Sequence, residues 1–306
     1  MKIIIGGGTG FVGSVLVPEL LQSGHELYVI GRDKEKIKSL FKDKVTACHW
    51  DELTGLNPDL FDAIINLCGE NIGDQRWSAK VKERLLTSRL FPTEKLVQWA
   101  AKAKTKKPHL YNASAVSIYG LHKTLPAYPL DEDEPIPHAP SCFATNLVHQ
   151  WELAALIGEQ FAVPVTLMRF GVVLKKNEGM LKKLELPARF GLGATLGNGE
   201  QPLSWIHYHD LVQAIKFLLA HPEIQGAVNC VAQEPVSQKS FNTILAECLH
   251  RPTFLKLPSW FVRMAFGEMG EELLLSGQAV SPRRLLDAQF TFNYPDLRAA
   301  LLKEYS

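Results

Sequence analysis

The sequence predicts an α/β protein built on a doubly wound parallel sheet, with a smaller α/β lobe at its C-terminal end. Three observations predict it. Short apolar runs alternate with helix-period stretches through the first half of the chain. A glycine-spaced turn sits directly after the first of those runs. From about residue 175 the alternation gives way to a glycine-rich loop and shorter pieces.

The opening "MKIIIGGGTGFVGSVLVPELLQSGHELYVIGRD" reads as strand, helix, strand. Ile3 to Ile5 is an apolar run of the kind buried on both faces of a parallel sheet. Val12, Val15, Leu16, Leu20 and Leu21 recur at helical spacing, Ser23-Gly24 ends that helix, and Leu27 to Ile30 forms the second strand. Further strands are expected at Val45–His49, Ala63–Cys68, Leu110–Ala115 and Val165–Phe170, with helices at Ser78–Arg89, Pro92–Lys104 and Thr145–Phe161. Four glycines between 191 and 199 mark a loop, and a helix is expected at Gln238–Leu249. The expected division is a large sheet-bearing domain over 1–234, with 175–205 contributing to a second lobe, and a small C-terminal domain over 235–306.

Composition narrows the function classes. A net charge of +1 offers no basic surface for nucleic acid. No apolar run approaches the roughly 18 residues of a membrane span, so no membrane partner is expected. The five cysteines (48, 68, 142, 230, 248) are odd in number and form no CxxC pair, so they read as thiols in a reducing compartment; a cytoplasmic location is expected. Oligomeric state is not readable from the pattern.

Gly7, Gly10 and Gly13 in "GGGTGFVG" follow a strand and open a helix, the context in which such spacing binds a dinucleotide. Gly7 allows the tight turn, Gly10 lets backbone approach a pyrophosphate, and Gly13 lets the helix pack on the sheet. The helix N-terminus offers free N–H groups to the phosphates. The second strand ends "VIGRD". Arg32 is placed to pair with a 2′-phosphate, and Asp33 one step later to cap the next helix. NADP(H) is therefore the expected cofactor.

With these pieces in place the sequence resembles the extended short-chain dehydrogenase/reductases, and within them an atypical branch known as epimerase family proteins, similar to nucleoside-diphosphate-sugar epimerases. The matching segments are "GGGTGFVG", "NLCGENIGDQRW", "LLTSRLFPTEKL", "SAVSIYG", "MRFGVVL" and "SWIHYHDLV", and the tail is similar to that branch's C-terminal domain of unknown function. The resemblance implies an NAD(P)-binding Rossmann fold. It places Gly7, Thr9, Gly10, Phe11, Val12 and Gly13 on the pyrophosphate, Gly31 and Arg32 on the ribose phosphate, and Asp51 at the adenine. It further implies that Leu67, Cys68, Gly69 and Glu70 line the cofactor, that Ser88 and Arg89 face it, and that Phe170, Gly171, Val172 and Val173 lie near the nicotinamide.

Typical members carry a Ser or Thr, a Tyr and, four residues later, a Lys; the Tyr is the acid/base and the Lys lowers its pKa. In "SCFATNLVHQWE" the expected pair falls on Ala144 and Val148, or on Ser141 and Thr145 in a shifted register. Neither register restores it. The expected hydroxyl falls on Ala115, leaving Ser114 beside it. The candidate catalytic groups are therefore Tyr119, at the C-terminal edge of a strand, and Ser114, which could hold a water. Tyr119 and Lys123 form a Tyr-xxx-Lys spelling, but Gly120 disfavours the helix that would align them.

Other residues read more plainly. His207 and His209 in "HYHD" alternate in extended chain, with Asp210 capping the following helix; no metal site is expected. "DEDE" (131–134) reads as a solvated acidic loop. Arg76-Trp77 is either a substrate anchor or an Arg–aromatic stack. Arg169 either binds a carboxylate or braces its strand end, and Trp205 walls a pocket or fills the space between lobes. The function expected is an atypical NADP(H)-dependent oxidoreductase acting on a small molecule. The alternative is a non-catalytic NADP(H)-binding redox sensor. Nucleotide-sugar epimerisation would need an acid/base that the chain does not display.

Overall fold

The computed structural model describes residues 1–137, 140 and 142–305; Ser141 lies outside the described residues. In chain order the main elements are β1 (Lys2–Gly6), α1 (Phe11–Gln22), β2 (Glu26–Gly31), α2 (Lys34–Phe41), β3 (Thr46–His49), β4 (Ala63–Asn66), α3 (Ala79–Ala100), β5 (His109–Ala115), α4 (Phe143–Leu156), β6 (Val165–Phe170) and β7 (Val172–Leu174). There follow α5 (Gly179–Arg189), β8 (Ala194–Leu196), β9 (Pro202–Leu203), β10 (Trp205–His207), α6 (Tyr208–Ala220), β11 (Gly226–Cys230), β12 (Val236–Ser237), α7 (Gln238–Cys248), β13 (Leu255–Leu257), α8 (Ser259–Phe266), α9 (Glu268–Leu273), α10 (Arg283–Asp287) and α11 (Leu297–Tyr305).

Seven strands form one parallel sheet in the order β11-β6-β5-β4-β1-β2-β3. This is the doubly wound Rossmann arrangement predicted from the sequence. Side-chain alternation explains why the strand sequences are apolar throughout. Ile3 and Ile5 enter the core on one face, under α1, α2 and α6, while Ile4 enters the core on the other, under α3 and α4. Each of these isoleucines is fully buried, contributing about 1.5–3 kcal/mol. The strand order reverses between β1 and β4, so their C-terminal ends open a crevice, the place where such sheets receive ligands.

Four local expectations need correction. The helices expected at 78–89 and 92–104 are one helix, α3, with Pro92 inside it. Pro92 removes one helix hydrogen bond, yet Leu85 before it and Leu96, Val97 and Trp99 after it are anchored in buried clusters, and this packing carries the helix across. The fourth strand stops at Asn66 rather than Cys68. The Asn66 side-chain oxygen accepts from the Cys68 N–H at 3.2 Å and turns the chain out of the sheet.

The acidic segment 131–134 is not simply solvated. Glu132 is buried, accepting from the N–H of Asn229 at 2.8 Å and from that of Arg284, and burial raises its carboxyl pKa. Asp131 and Asp133 both pair with Arg283. Asp210 does not cap α6; His207 stands at that position. The buried Asp210 carboxylate instead accepts from the backbone of Asn293 and Tyr294 and the Asn293 amide, tying α6 to the C-terminal segment.

Beyond the sheet, strands from 175–205 pair with strands from 235–306. β8 pairs with β13, and β9 with β12. Trp205 is almost fully buried in the core shared by α5, α7 and α11, so it fills this layer rather than walling a pocket. Glu272 of α9 reaches back to α4, accepting from the N–H groups of Phe143 and Ala144 at 3.1 and 2.8 Å. A carboxylate on a helix N-terminus satisfies orphan donors and the helix dipole together.

Candidate functional site

A cleft of about 480 Å³ opens at the switch between β1 and β4. Gly7, Thr9 and Gly10 form its floor, Gly31 and Arg32 one end, and Leu67, Cys68, Gly69 and Glu70 the far wall. The glycines at its floor are there for space. Gly7 has φ +76°, and a Cβ there would lie 2.7 Å from the Leu67 carbonyl. A Cβ on Gly13 would lie 2.5 Å from the Gly7 oxygen. The first-turn N–H groups of α1 have no acceptor within the helix by position, and Gly10 adds no side-chain cap. The cradle thus fits a pyrophosphate: close backbone, a helix N-terminus, and no side chain in the way.

Phe11 and Val12 begin α1 above this floor without lining the cleft, and Phe11 lies against Gly179 at the start of α5.

The wall after β4 is held by α3. Ser88 accepts from the Glu70 N–H at 3.1 Å and also lines the cleft. Arg89 donates to the carbonyls of Glu70 and Leu85 at 2.9 and 3.0 Å and lies 5.1 Å from the Trp151 ring centre. Burial lowers the Arg89 pKa to about 10. Ser88 and Arg89 therefore act on the cofactor wall, and Arg89 does so from behind it. Asn66 at the end of β4, Asn112 in the middle of β5 and Thr93 of α3 complete this support as a buried hydrogen-bonded set. Cys68 turns its sulfur in against Gly6, and burial pushes its thiol up to about 12, so it is an unreactive wall residue.

The open end of the cleft is cationic. Asp33 caps α2, accepting from the Lys36 N–H at 2.9 Å, which takes its carboxylate away from the cleft. That role was expected from the sequence. Arg32 and Lys36 both reach the cleft, and among the described residues neither side chain has a carboxylate partner. Asp51 is exposed and pairs with His49 at 3.1 Å; its neighbour Trp50 lines the cleft instead, with Phe91 edge-on to it and Pro92 beside it.

The other end of the same sheet edge is closed. Ser114, Tyr119, Glu152, Arg169 and Asn229 are all buried. Ser114 donates to Glu152 at 2.5 Å, and Arg169 grips the same carboxylate through Nε and Nη2 at 2.9 and 3.0 Å. Its third arm donates to the Tyr119 hydroxyl at 2.8 Å, and Tyr119 in turn donates to the Asn229 side-chain oxygen at 2.9 Å. Burial raises the Tyr119 pKa despite the Arg169 charge beside it. Neither hydroxyl lines the cleft. Arg169 does bind a carboxylate, but an internal one, and it braces the strand ends.

Ala144 and Val148, standing where the usual Tyr and Lys would be, are buried in two separate apolar clusters. Thr145 donates to the Ser117 carbonyl. Lys123 pairs with Glu271, so Tyr119 and Lys123 diverge on either side of Gly120 at φ +89°. Gly171 admits the Ser204 backbone, whose oxygen would lie 2.8 Å from a Cβ there. Phe170, Val172 and Val173 are partly buried around it and do not line the cleft. Arg76 rests against Gly267, while Trp77 stacks edge-on with Phe143 at 4.9 Å, so the two do not stack on each other. Among the described residues no His, Cys, Asp and Glu cluster could hold a metal.

Sequence reasoning missed Lys36, Trp50, Phe91 and Glu152. Lys36 had a legible signal, since it stands in the first turn of the helix that Asp33 caps, directly after Arg32. The role of Glu152 had none, because its partners come from β5 and β6.

Comparison with known proteins agrees with this geometry. Residues 3–230 match the family model described as the NAD dependent epimerase/dehydratase family, and residues 257–303 match a domain of unknown function, DUF1731. The chain is 38% identical over 304 residues to epimerase family protein Mb2239 of Mycobacterium bovis, covering 98% of this chain and 96% of the relative. It is 36% identical to epimerase family protein SDR39U1 of Bos taurus, covering 98% of each. Among solved structures it resembles human epimerase family protein SDR39U1 (isoform 2) with NADPH, at a TM-score of 0.88 and 32% identity over 100% of this chain and 99% of that one.

Proposed function

This chain belongs to the NAD dependent epimerase/dehydratase family, and on that premise we propose that it is an atypical NADP(H)-dependent oxidoreductase of a small molecule. The observation that carries the reading is a pair of cations at the open end of the cleft, Arg32 and Lys36, neither with a carboxylate partner among the described residues, with the Asp33 carboxylate withdrawn into a helix cap. A carboxylate at this strand end would suit a ribose 2′-OH, whereas two cations suit a 2′-phosphate. The human relative's structure with NADPH supports the same reading.

Gly7, Gly10 and the first turn of α1 would hold the pyrophosphate, and Leu67 to Glu70, braced by Ser88 and Arg89, would form the opposite wall. The cofactor, when bound, supplies hydride transfer. The chain's own work is to fix the wall, present the helix N-terminus and flank the cationic end with Trp50 and Phe91. Ser114 and Tyr119, the expected catalytic hydroxyls, are engaged in the buried ion network, so the proton comes from solvent or substrate.

That engagement also favours a second reading, a non-catalytic NADP(H) sensor. Fluorescence titration of nucleotide-stripped protein with NADPH, NADP⁺ and NADH, followed by turnover assays on carbonyl compounds, tests both. Tight NADPH binding with turnover supports the oxidoreductase. A large affinity gap between NADPH and NADP⁺ without turnover supports the sensor, because only differential affinity shifts a conformational equilibrium. Equal weak binding of all three would overturn both.

A further inference from the structure

The C-terminal lobe carries a surface that the cofactor site does not use. Leu186, Phe190 and Leu192 in and after α5, and Phe254, Trp260 and Met264 around β13 and α8, are each more than half exposed, Phe254 at 85% and Phe190 at 73%. The two segments form one face. Arg251 donates to the Arg189 carbonyl at 2.7 Å, β13 pairs with β8 immediately after the 190–192 turn, and the Gly197 N–H reaches the Leu257 carbonyl. A soluble protein rarely exposes so many large apolar side chains together without a use for them. None of the six lines the cofactor cleft.

The charge of this face identifies what it suits. Residues 182–192 and 251–266 contain six Lys and Arg and one carboxylate, Glu185; Lys183, Arg189 and Arg263 are paired with Asp74, Glu185 and Glu271, which leaves three cations over. Lys182, Arg251 and Lys256 have no carboxylate partner among the described residues. We propose that this face docks peripherally on an anionic lipid surface, with Phe190, Phe254, Trp260 and Met264 entering the headgroup boundary and Lys182, Arg251 and Lys256 meeting lipid phosphates. Projecting aromatic and aliphatic side chains set among cations are what such a boundary binds.

A second copy of the chain fits less well. A two-fold contact would set this face against itself, cation facing cation. The expectation of no membrane partner rested on the absence of a spanning run, and among the described residues no helix is long and apolar enough to cross a membrane. Lying on a bilayer makes no such demand.

Vesicle flotation of the full chain tests the proposal, using phosphatidylcholine vesicles with and without phosphatidylglycerol. The expected result is flotation with the anionic vesicles only, reversed by salt, and weakened at least about tenfold in Lys256→Glu and in the double variant Phe254→Ser, Trp260→Ser. Circular dichroism melts of each variant check that the fold is kept, independently of any cofactor reading. No flotation of wild type, or flotation that the variants leave intact, would overturn the proposal. So would a wild-type dimer in light scattering that the double variant converts to monomer without any vesicle binding; the face would then belong to a second copy.

Discussion

The two ends of one sheet edge leave very different groups unsatisfied. At the β1–β4 end the cleft is open, its glycines make room, and among the described residues Arg32 and Lys36 have no carboxylate partner. At the β5–β6–β11 end each polar group is matched by another. Ser114, Glu152, Arg169, Tyr119 and Asn229 form a closed, buried chain of hydrogen bonds. The contrast teaches that a chain can keep a nucleotide site while the neighbouring side chains serve to hold the sheet ends together.

The largest effect is expected from Glu152→Ala. It leaves Arg169 buried without its partner and should cost about 3–5 kcal/mol in denaturant unfolding, while nucleotide affinity of the folded protein stays unchanged. A large loss of nucleotide affinity with little loss of stability would make the closed end part of the binding site.

Acid titration should come next in size. His109, at the opposite edge of the sheet, donates from Nε2 to Thr166, whose own hydroxyl donates to the Ile224 carbonyl. Burial lowers its pKa to about 4 from an ordinary 6.5. The unfolded chain then takes up a proton below pH 6.5 that the folded one refuses until about pH 4. Stability from this group is therefore full above pH 6.5 and falls as pH drops towards 4, by at most about 3 kcal/mol. His109→Gln should flatten that part of the stability profile.

Gly13→Ala should cost about 1–3 kcal/mol and abolish nucleotide binding, since the new methyl meets Gly7 and Gly8. Gly10→Ala, whose Cβ meets only the Gly7 oxygen at 3.3 Å, should be the milder of the two. Tyr119→Phe is the smallest effect, about 1 kcal/mol of stability with any turnover unchanged. A fall in turnover with stability intact would restore Tyr119 as the proton donor.

The open end was largely legible in the sequence because it is built from local chain. The Gly7-Gly10-Gly13 spacing, Arg32 and the Asp33 cap all lie within two consecutive strand–turn–helix units. The closed end was not legible, because Glu152, Arg169 and Asn229 are distant in sequence and meet only through strand order. The acidic segment misled for the same reason: Glu132 looks solvated until the Asn229 and Arg284 amides are brought to it. Pro92 misled by local rule, since its effect on α3 is decided by packing on both sides.

The central claim is that the open end selects a 2′-phosphate. Titrating wild type and Arg32→Ala with NADPH and NADH tests it most directly. The variant is expected to lose about ten- to a hundredfold in NADPH affinity, as for a lost charge-assisted hydrogen bond, with NADH affinity unchanged. An equal loss for both nucleotides, or none for either, would contradict it.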